Sequence, residues 1–135
     1  MNRYLLDTCS FLWLVAGSDA LPEAARDIIR DPGNEIFLSV VSAWEIAVKH
    51  SSGKLPLPQR PDRFVREQRE GHALASLPLL EAHVLTLTKL PGIHQDPFDR
   101  MLVCQAIAEG LIILTPDEAI SQYPVRTAWL HSGNR

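Results

Sequence analysis

The chain has 135 residues, 46% of them hydrophobic and 21% charged, with a formal net charge of −3. That balance excludes a disordered chain and suits one soluble domain, residues 1–135, with a real core. It also argues against binding nucleic acid by bulk electrostatics, and no apolar run nears the roughly 20 residues of a membrane span.

The N-terminal MNRYLLDTCSFLWLV mimics a signal peptide only faintly. Asp7 interrupts its apolar stretch and no small-residue cleavage site follows, so it reads as the first strand and helix of a cytoplasmic protein. Tyr4–Leu6 is a short apolar run ending at Asp7, and the strongly apolar Ser10–Ala16 ends at Gly17-Ser18. Helical spacing covers Leu21–Arg30, with Pro22 in the first turn and Asp31-Pro32-Gly33-Asn34 closing it. Glu35–Val41 is β-branched and apolar, a second buried strand. A helix over Ser42–His50 ends near Ser51-Ser52-Gly53. The Pro-rich Leu55–Pro61 is a linker between helices, and Arg63–Gly71 is a polar helix. Ala73–Leu77 reads as a third strand and Leu79–Leu90 as an amphipathic helix ended by Pro91-Gly92. Phe98–Glu109 is a helix stopped by Gly110. Leu111–Leu114 is a fourth strand, Asp117–Ser121 a short helix, and Thr127–Leu130 a weak fifth strand. Strands and helices alternate throughout, which implies a mostly parallel sheet covered by helices on both faces.

Cys9 and Cys104 lack zinc-site spacing and sit in apolar helical contexts, so both read as reduced, buried thiols. The five histidines are scattered, with no paired spacing. Trp13 and Trp44 lie in apolar helical runs and read as core rather than as platforms for bases, while Trp129 near the last strand is ambiguous. Charge is unevenly spread: between Lys49 and Arg69 there are six cations (Lys49, Lys54, Arg60, Arg63, Arg66, Arg69) against two anions (Asp62, Glu67). This stretch is either a nucleic-acid-binding track or a solvated helix face.

Four acids stand at strand-to-helix junctions or helix starts: Asp7, Glu45, Asp99 and Asp117. In a parallel sheet such junctions gather at one edge. Carboxylates collected there repel one another unless a cation holds them, and oxygen-rich sites suit Mg²⁺ or Mn²⁺. Each acid also has a structural explanation. Ser42 and Glu45 have capping-box spacing, and Asp7 can cap the helix near Cys9. Asp96-Pro97-Phe98-Asp99 reads as an N-cap, a first-turn proline and a first-turn acid. Thr115-Pro116-Asp117-Glu118 reads the same way, with Thr115 as cap and Glu118 as its capping-box partner. Asp96 therefore has the better claim to a cap and Asp99 to a metal, and Asp117 is left for the site. Asp99 shares the inward face of Leu102, Val103 and Ala106, and no cation is spaced to meet it.

The segments LLDTCSFLW, SAWEIAVKHSSGKLPLP and HQDPFDRMLVCQAIAEGLIILTPDEAI, in this order and at these intervals, resemble the PIN-domain ribonucleases, and within them the VapC-type toxins of bacterial toxin–antitoxin pairs. The resemblance covers nearly the whole chain. It implies a three-layer α/β/α fold around a central, mostly parallel sheet of four to five strands, with an acidic pocket binding Mg²⁺ or Mn²⁺. By position, the family's four acids are Asp7, Glu45, Asp99 and Asp117, and Thr8 and Thr115 match positions that support the pocket. Asp96 is an extra acid, between helix cap and a group that steadies the ligands. The implied activity is hydrolysis of RNA to a 5′-phosphate and a 3′-hydroxyl, with Lys49, Lys54, Arg63 and Arg66 as candidate RNA contacts. The implied partners are a small antitoxin protein, which occludes the pocket, and a second copy of the chain, met through the early helices and the helix around Leu79–Leu90. Two rivals are weaker. A dehalogenase-like phosphatase with Asp7 as nucleophile needs an Asp at position 9, where this chain has Cys. A non-catalytic docking module does not explain why all four acids are present.

Overall fold

The structure, a computed structural model, describes residues 2–128. Five strands form one sheet: β1 (Arg3–Leu6), β2 (Glu35–Ser39), β3 (Ala75–Leu77), β4 (Ile112–Leu114) and β5 (Thr127–Ala128). The order is β3-β2-β1-β4-β5, and every pairing is parallel. Six α-helices accompany them: α1 (Thr8–Ala16), α2 (Glu23–Arg30), α3 (Val40–Ser51), α4 (Pro61–Gly71), α5 (Glu81–Leu85) and α6 (Pro97–Glu109).

Alternation along the strands sorts the core into two layers. Tyr4, Leu6, Ile36, Leu38, Ile112 and Leu114 face one way and pack with Phe11 of α1, Ala25 and Ile29 of α2, Ile46 of α3 and Phe64 and Val65 of α4. Leu5, Phe37, Leu77 and Ile113 face the other way, onto Met101, Leu102, Val103 and Ala106 of α6. Helices therefore cover both faces of a fully parallel sheet, the expected three-layer α/β/α arrangement. The inner strands are apolar on both sides for the same reason.

Strand order reverses direction between β1 and β4, the point where a parallel α/β sheet opens a crevice beyond its strand ends. Asp7 follows β1 there, and Thr115–Asp117 follow β4. The Asp7 N–H reaches the Leu114 carbonyl across this gap at 3.5 Å.

Several elements depart from the sequence reading. The second helix begins two residues after Leu21, and β3 is limited to Ala75–Leu77. β2 ends at Ser39, whose hydroxyl caps α3 by accepting from the Val41 N–H at 2.9 Å. Starting at Val40, α3 buries Val41, Ser42, Glu45 and Ile46 and turns Val40, Trp44 and Val48 outward. Trp44 is thus 53% exposed instead of core, and lies edge-on to Phe98 with ring centroids 4.7 Å apart. Trp13 is half-buried against the first core layer. The single helix expected over Leu79–Leu90 is α5 followed by a 3₁₀ turn, Thr86–Lys89. Thr86 and Thr88 hydroxyls donate to the Ala82 and Leu85 carbonyls, drawing the backbone away from α-geometry, and Pro91 disfavours helix at Leu90. Asp117–Ser121 is no helix; a 3₁₀ turn, Ile120–Gln122, stands nearby. Of the fifth strand, Thr127–Ala128 is observed, and Trp129 and Leu130 lie outside the described residues. The start and stop of α6 match expectation: Asp96 caps it, and Gly110 ends it at φ 69°, a left-handed conformation that favours glycine.

Candidate metal centre

The sheet edge gathers the acids from three directions. Asp7 caps α1, accepting from the Ser10 N–H at 3.0 Å, and its second oxygen accepts from the Thr115 hydroxyl at 2.6 Å. It is 3% exposed. Burial pushes its carboxyl above the ordinary range, against the hydrogen bonds from Ser10 and Thr115, which favour the charge. A cap and a buried pocket acid are here the same residue.

Glu45 is freed from the capping role that its spacing suggested, because Ser39 and not Ser42 is the N-cap of α3. It lies 5% exposed in the second turn of that helix. Thr8 Oγ1 donates to Glu45 Oε1 at 2.6 Å and stands 2.9 Å from Ser42 Oγ. Lys49, one turn on, meets Glu45 Oε2 at 2.5 Å, and this bond holds the lysine charge in place, raising its pKa.

Asp99 and Asp117 form the other side. Asp96 Oδ1 accepts from the N–H groups of Phe98 (2.8 Å) and Asp99 (3.3 Å), so Asp96 is the cap and Asp99 is free to face the pocket. The Asp99 carboxyl is raised to about 7, first by burial and then by Asp96, Asp7 and Glu45, while His94 pulls it down. This mutual repulsion places Asp7, Glu45 and Asp99 in one electrostatic field. After β4, Thr115 Oγ1 accepts from the Asp117 N–H (3.0 Å), and Asp117 Oδ1 accepts from the Ala119 N–H (2.9 Å). Glu118 is exposed and makes no capping box, because the chain turns at Asp117 instead of starting a helix.

The sequence reading missed one residue. His94 Nε2 stands 2.8 Å from Asp117 Oδ2 and 3.3 Å from Asp99 Oδ2, supplying the partner that spacing along α6 did not reveal. Its signal was its place two residues before the N-cap of a helix whose first turn carries an acid. Cys9, expected as a reduced, buried thiol, is a free thiol but only half-buried, with its sulfur 3.5 Å from both oxygens of Asp7. Burial and the Asp7 charge push that thiol's pKa up, so it is a proton donor to Asp7 and a poor nucleophile. Cys104 is fully buried, as expected.

The donors fit a hard divalent cation. One oxygen each from Asp99 and Asp117, with a nitrogen of His94 beside them, lie within 4.8 Å of one another, close enough for the two carboxylates to share one ion. Among the described residues no arginine or lysine forms an ion pair with Asp99 or Asp117. Beside Glu45, a cavity of about 260 Å³ is lined by Thr8, Cys9, Leu12, Ile46, Lys49, Lys54 and Leu55. Lys49 and Lys54 therefore border the acidic site. Arg63 and Arg66 stand on α4, where Arg63 pairs with Glu67 at 2.9 Å and Arg66 lines a separate depression with Ala43, Ala47 and Arg69.

Comparison with known proteins gives this geometry a context. The PIN domain family matches residues 4–125. Ribonuclease VapC16 of Mycobacterium tuberculosis is 38% identical over 66 residues, 49% of this chain and 46% of that protein, so the match spans about half the length of that relative. Among solved structures, VapBC2 from Rickettsia felis, bound to a DNA fragment from its promoter, aligns with a TM-score of 0.71 at 14% identity, covering 96% of this chain and 99% of that one. DNA-bound VapBC from Salmonella typhimurium aligns with a TM-score of 0.67 at 16% identity, over 96% and 98%. At such identities the two structures establish the shared fold.

Proposed function

The chain belongs to the PIN-domain family, and we propose that it is a metal-dependent endoribonuclease, one catalytic domain over residues 1–135, acting as the toxin of a toxin–antitoxin pair. The observation that carries this reading is the convergence of Asp7, Glu45, Asp99 and Asp117 at the β1–β4 switch point, where among the described residues Lys49 and His94 are the ion-pair partners at bonding distance. The ribonuclease named as a 38%-identical relative and the toxin–antitoxin complexes among the structural neighbours support it.

Asp7, Asp99 and Asp117 would hold Mg²⁺ or Mn²⁺, with Glu45 as a further ligand or as the group that orients the attacking water. A divalent cation supplies Lewis acidity, making water a better nucleophile and offsetting charge that grows on phosphate oxygens. The protein residues do the rest. Thr8 fixes one oxygen of Glu45 and Lys49 the other, holding the carboxylate in the orientation its role would need. Lys49 and Lys54 draw the RNA phosphates past the acids, and Arg63 and Arg66 extend the track along α4. In-line attack leaves a 5′-phosphate and a 3′-hydroxyl on single-stranded or looped RNA.

A small antitoxin would cover the pocket, an Arg among the carboxylates being a natural occluding group. The exposed Val40, Trp44 and Val48 stripe on α3 supports such a partner, and exposed Leu79, Leu80, Val84 and Leu85 support a homodimer through α5. Among the described residues no helix is long and apolar enough to cross a membrane, and we assign the protein to the cytoplasm. The test is cleavage of RNA by the purified protein with Mg²⁺ or Mn²⁺. Chelator and Asp7→Asn should each abolish it, and cleavage that survives either one overturns the assignment.

A further inference from the structure

His94 sits on the loop before α6 and takes no part in the mechanism above. Its Nε2 lies against Asp117 and Asp99, which suggests an imidazole ligand to the same ion. The other ring nitrogen argues against that. Nδ1 accepts the backbone N–H of Asp96 at 3.1 Å. A ring nitrogen that accepts carries no proton, so the proton of the neutral ring is on Nε2. Histidines that bind metal use the opposite arrangement, in which the far nitrogen donates to a carbonyl or carboxylate and the near lone pair is left for the ion. Here the near nitrogen is the donor, and it faces two carboxylate oxygens.

The ring is held in place from behind. The His94 N–H donates to the hydroxyl of Tyr123 at 2.6 Å, and Tyr123 is 3% exposed. Asp96, whose amide sets the tautomer, is itself fixed as the cap of α6. The chain builds the same device in its core. His83 Nδ1 accepts the Leu80 N–H at 3.0 Å, and its Nε2 meets Glu109 Oε2 at 2.7 Å, joining α5 to α6. In both places an imidazole fixed by a backbone amide serves as a rigid N–H donor to a carboxylate.

We propose that His94 is a positioning residue and not a metal ligand: its Nε2–H ties Asp117 Oδ2 to Asp99 Oδ2, holding the two acids in the geometry that receives the ion. This rests on the reading that Asp99 and Asp117 bind a divalent cation.

Two measurements on the full chain test it. In ¹⁵N NMR of histidine-labelled protein, His94 should carry its proton on Nε2 both without metal and with saturating Mg²⁺. A proton on Nδ1, or loss of the Nε2 proton when Mg²⁺ is added, overturns the proposal without recourse to any variant. In Mn²⁺ titrations followed by electron paramagnetic resonance, His94→Ala should weaken affinity by about ten- to a hundredfold. His94→Gln, whose amide nitrogen can stand where Nε2 stood, should recover most of that loss, and His94→Asn should not. Unchanged affinity in His94→Ala, or nitrogen hyperfine coupling from His94 to bound Mn²⁺, defeats the proposal alone provided Asp99→Asn still abolishes binding. If wild type and Asp99→Asn bind Mn²⁺ equally, the metal reading has failed and the positioning role falls with it.

Discussion

The two sides of the pocket are built in different ways. On the β1 and α3 side, Asp7 and Glu45 are buried and each oxygen has a donor: an amide and a hydroxyl for Asp7, a hydroxyl and Lys49 for Glu45. On the β4 and α6 side, Asp99 and Asp117 remain partly open and share a single imidazole. Burying a carboxylate is costly, and the first side meets part of that cost with its own donors, although burial still raises the Asp7 carboxyl. The second side has fewer donors. Its incomplete neutralisation is where a divalent ion would be most stabilising, and the first side supplies a preformed wall against which substrate and ion can be placed.

The largest effect should come from the open side. Asp99→Asn should reduce kcat by more than about a hundredfold, beyond what loss of an outer partner gives, while leaving the metal-free fold more stable at pH 8. That gain, up to roughly 4 kcal/mol, reflects relief of a buried charge that its neighbours oppose. If Asp99→Asn lowers stability instead, the repulsion ascribed to this side is wrong. On the closed side the sign reverses: Thr8→Val should cost about 2 kcal/mol in chemical denaturation, because a buried carboxylate loses its hydroxyl donor.

Burial raises one acid on each side. Asp99 titrates near 3.8 when unfolded and at about 7 in the fold. Between those values the folded chain holds a proton that the unfolded chain has released. The stability this confers is complete below the unfolded value and is lost as pH rises through about 7. Asp7 shifts in the same direction. Metal binding needs the carboxylate, so Mg²⁺ affinity should fall by about tenfold for each pH unit below that point if one proton competes. Calorimetric titration at pH 6 and pH 8 measures this, and equal affinities would contradict it.

The smallest effects belong to the cations. Lys49→Ala should lower the salt dependence of RNA binding by about one unit of slope. Arg63→Glu with Arg66→Glu should weaken RNA binding more modestly, and no change would leave α4 as solvated surface.

Much of this molecule was legible from residue order because its signals are local. A buried strand followed by an acid located Asp7, and Asp96-Pro97 with Gly110 delimited α6 almost to the residue. Errors arose where distant contacts decided the outcome. Ser39 takes the cap from Ser42 because β2 stops where its partner strand β3 stops, and its hydroxyl also reaches buried Gln105. With the cap at Ser39, Glu45 is free of the backbone role that its spacing also allowed, and Trp44 lies on the exposed face of α3. Two threonines broke the helix over Leu79–Leu90, which its apolar pattern could not show. His94 was hidden because its partners are five and 23 residues away, on a helix and on a turn after a different strand. Local periodicity carries no record of such a meeting.

The claim on which everything else depends is that the open side is a cation site. It is tested most directly by the melting temperature of the purified protein as Mn²⁺ is raised at pH 8, for wild type and Asp99→Asn. An ion that binds the folded state alone stabilises it by mass action. The wild type should melt progressively higher with Mn²⁺, and Asp99→Asn, starting from a higher melting temperature without metal, should hardly respond. Equal rises in the two proteins, or none in the wild type, would contradict the account.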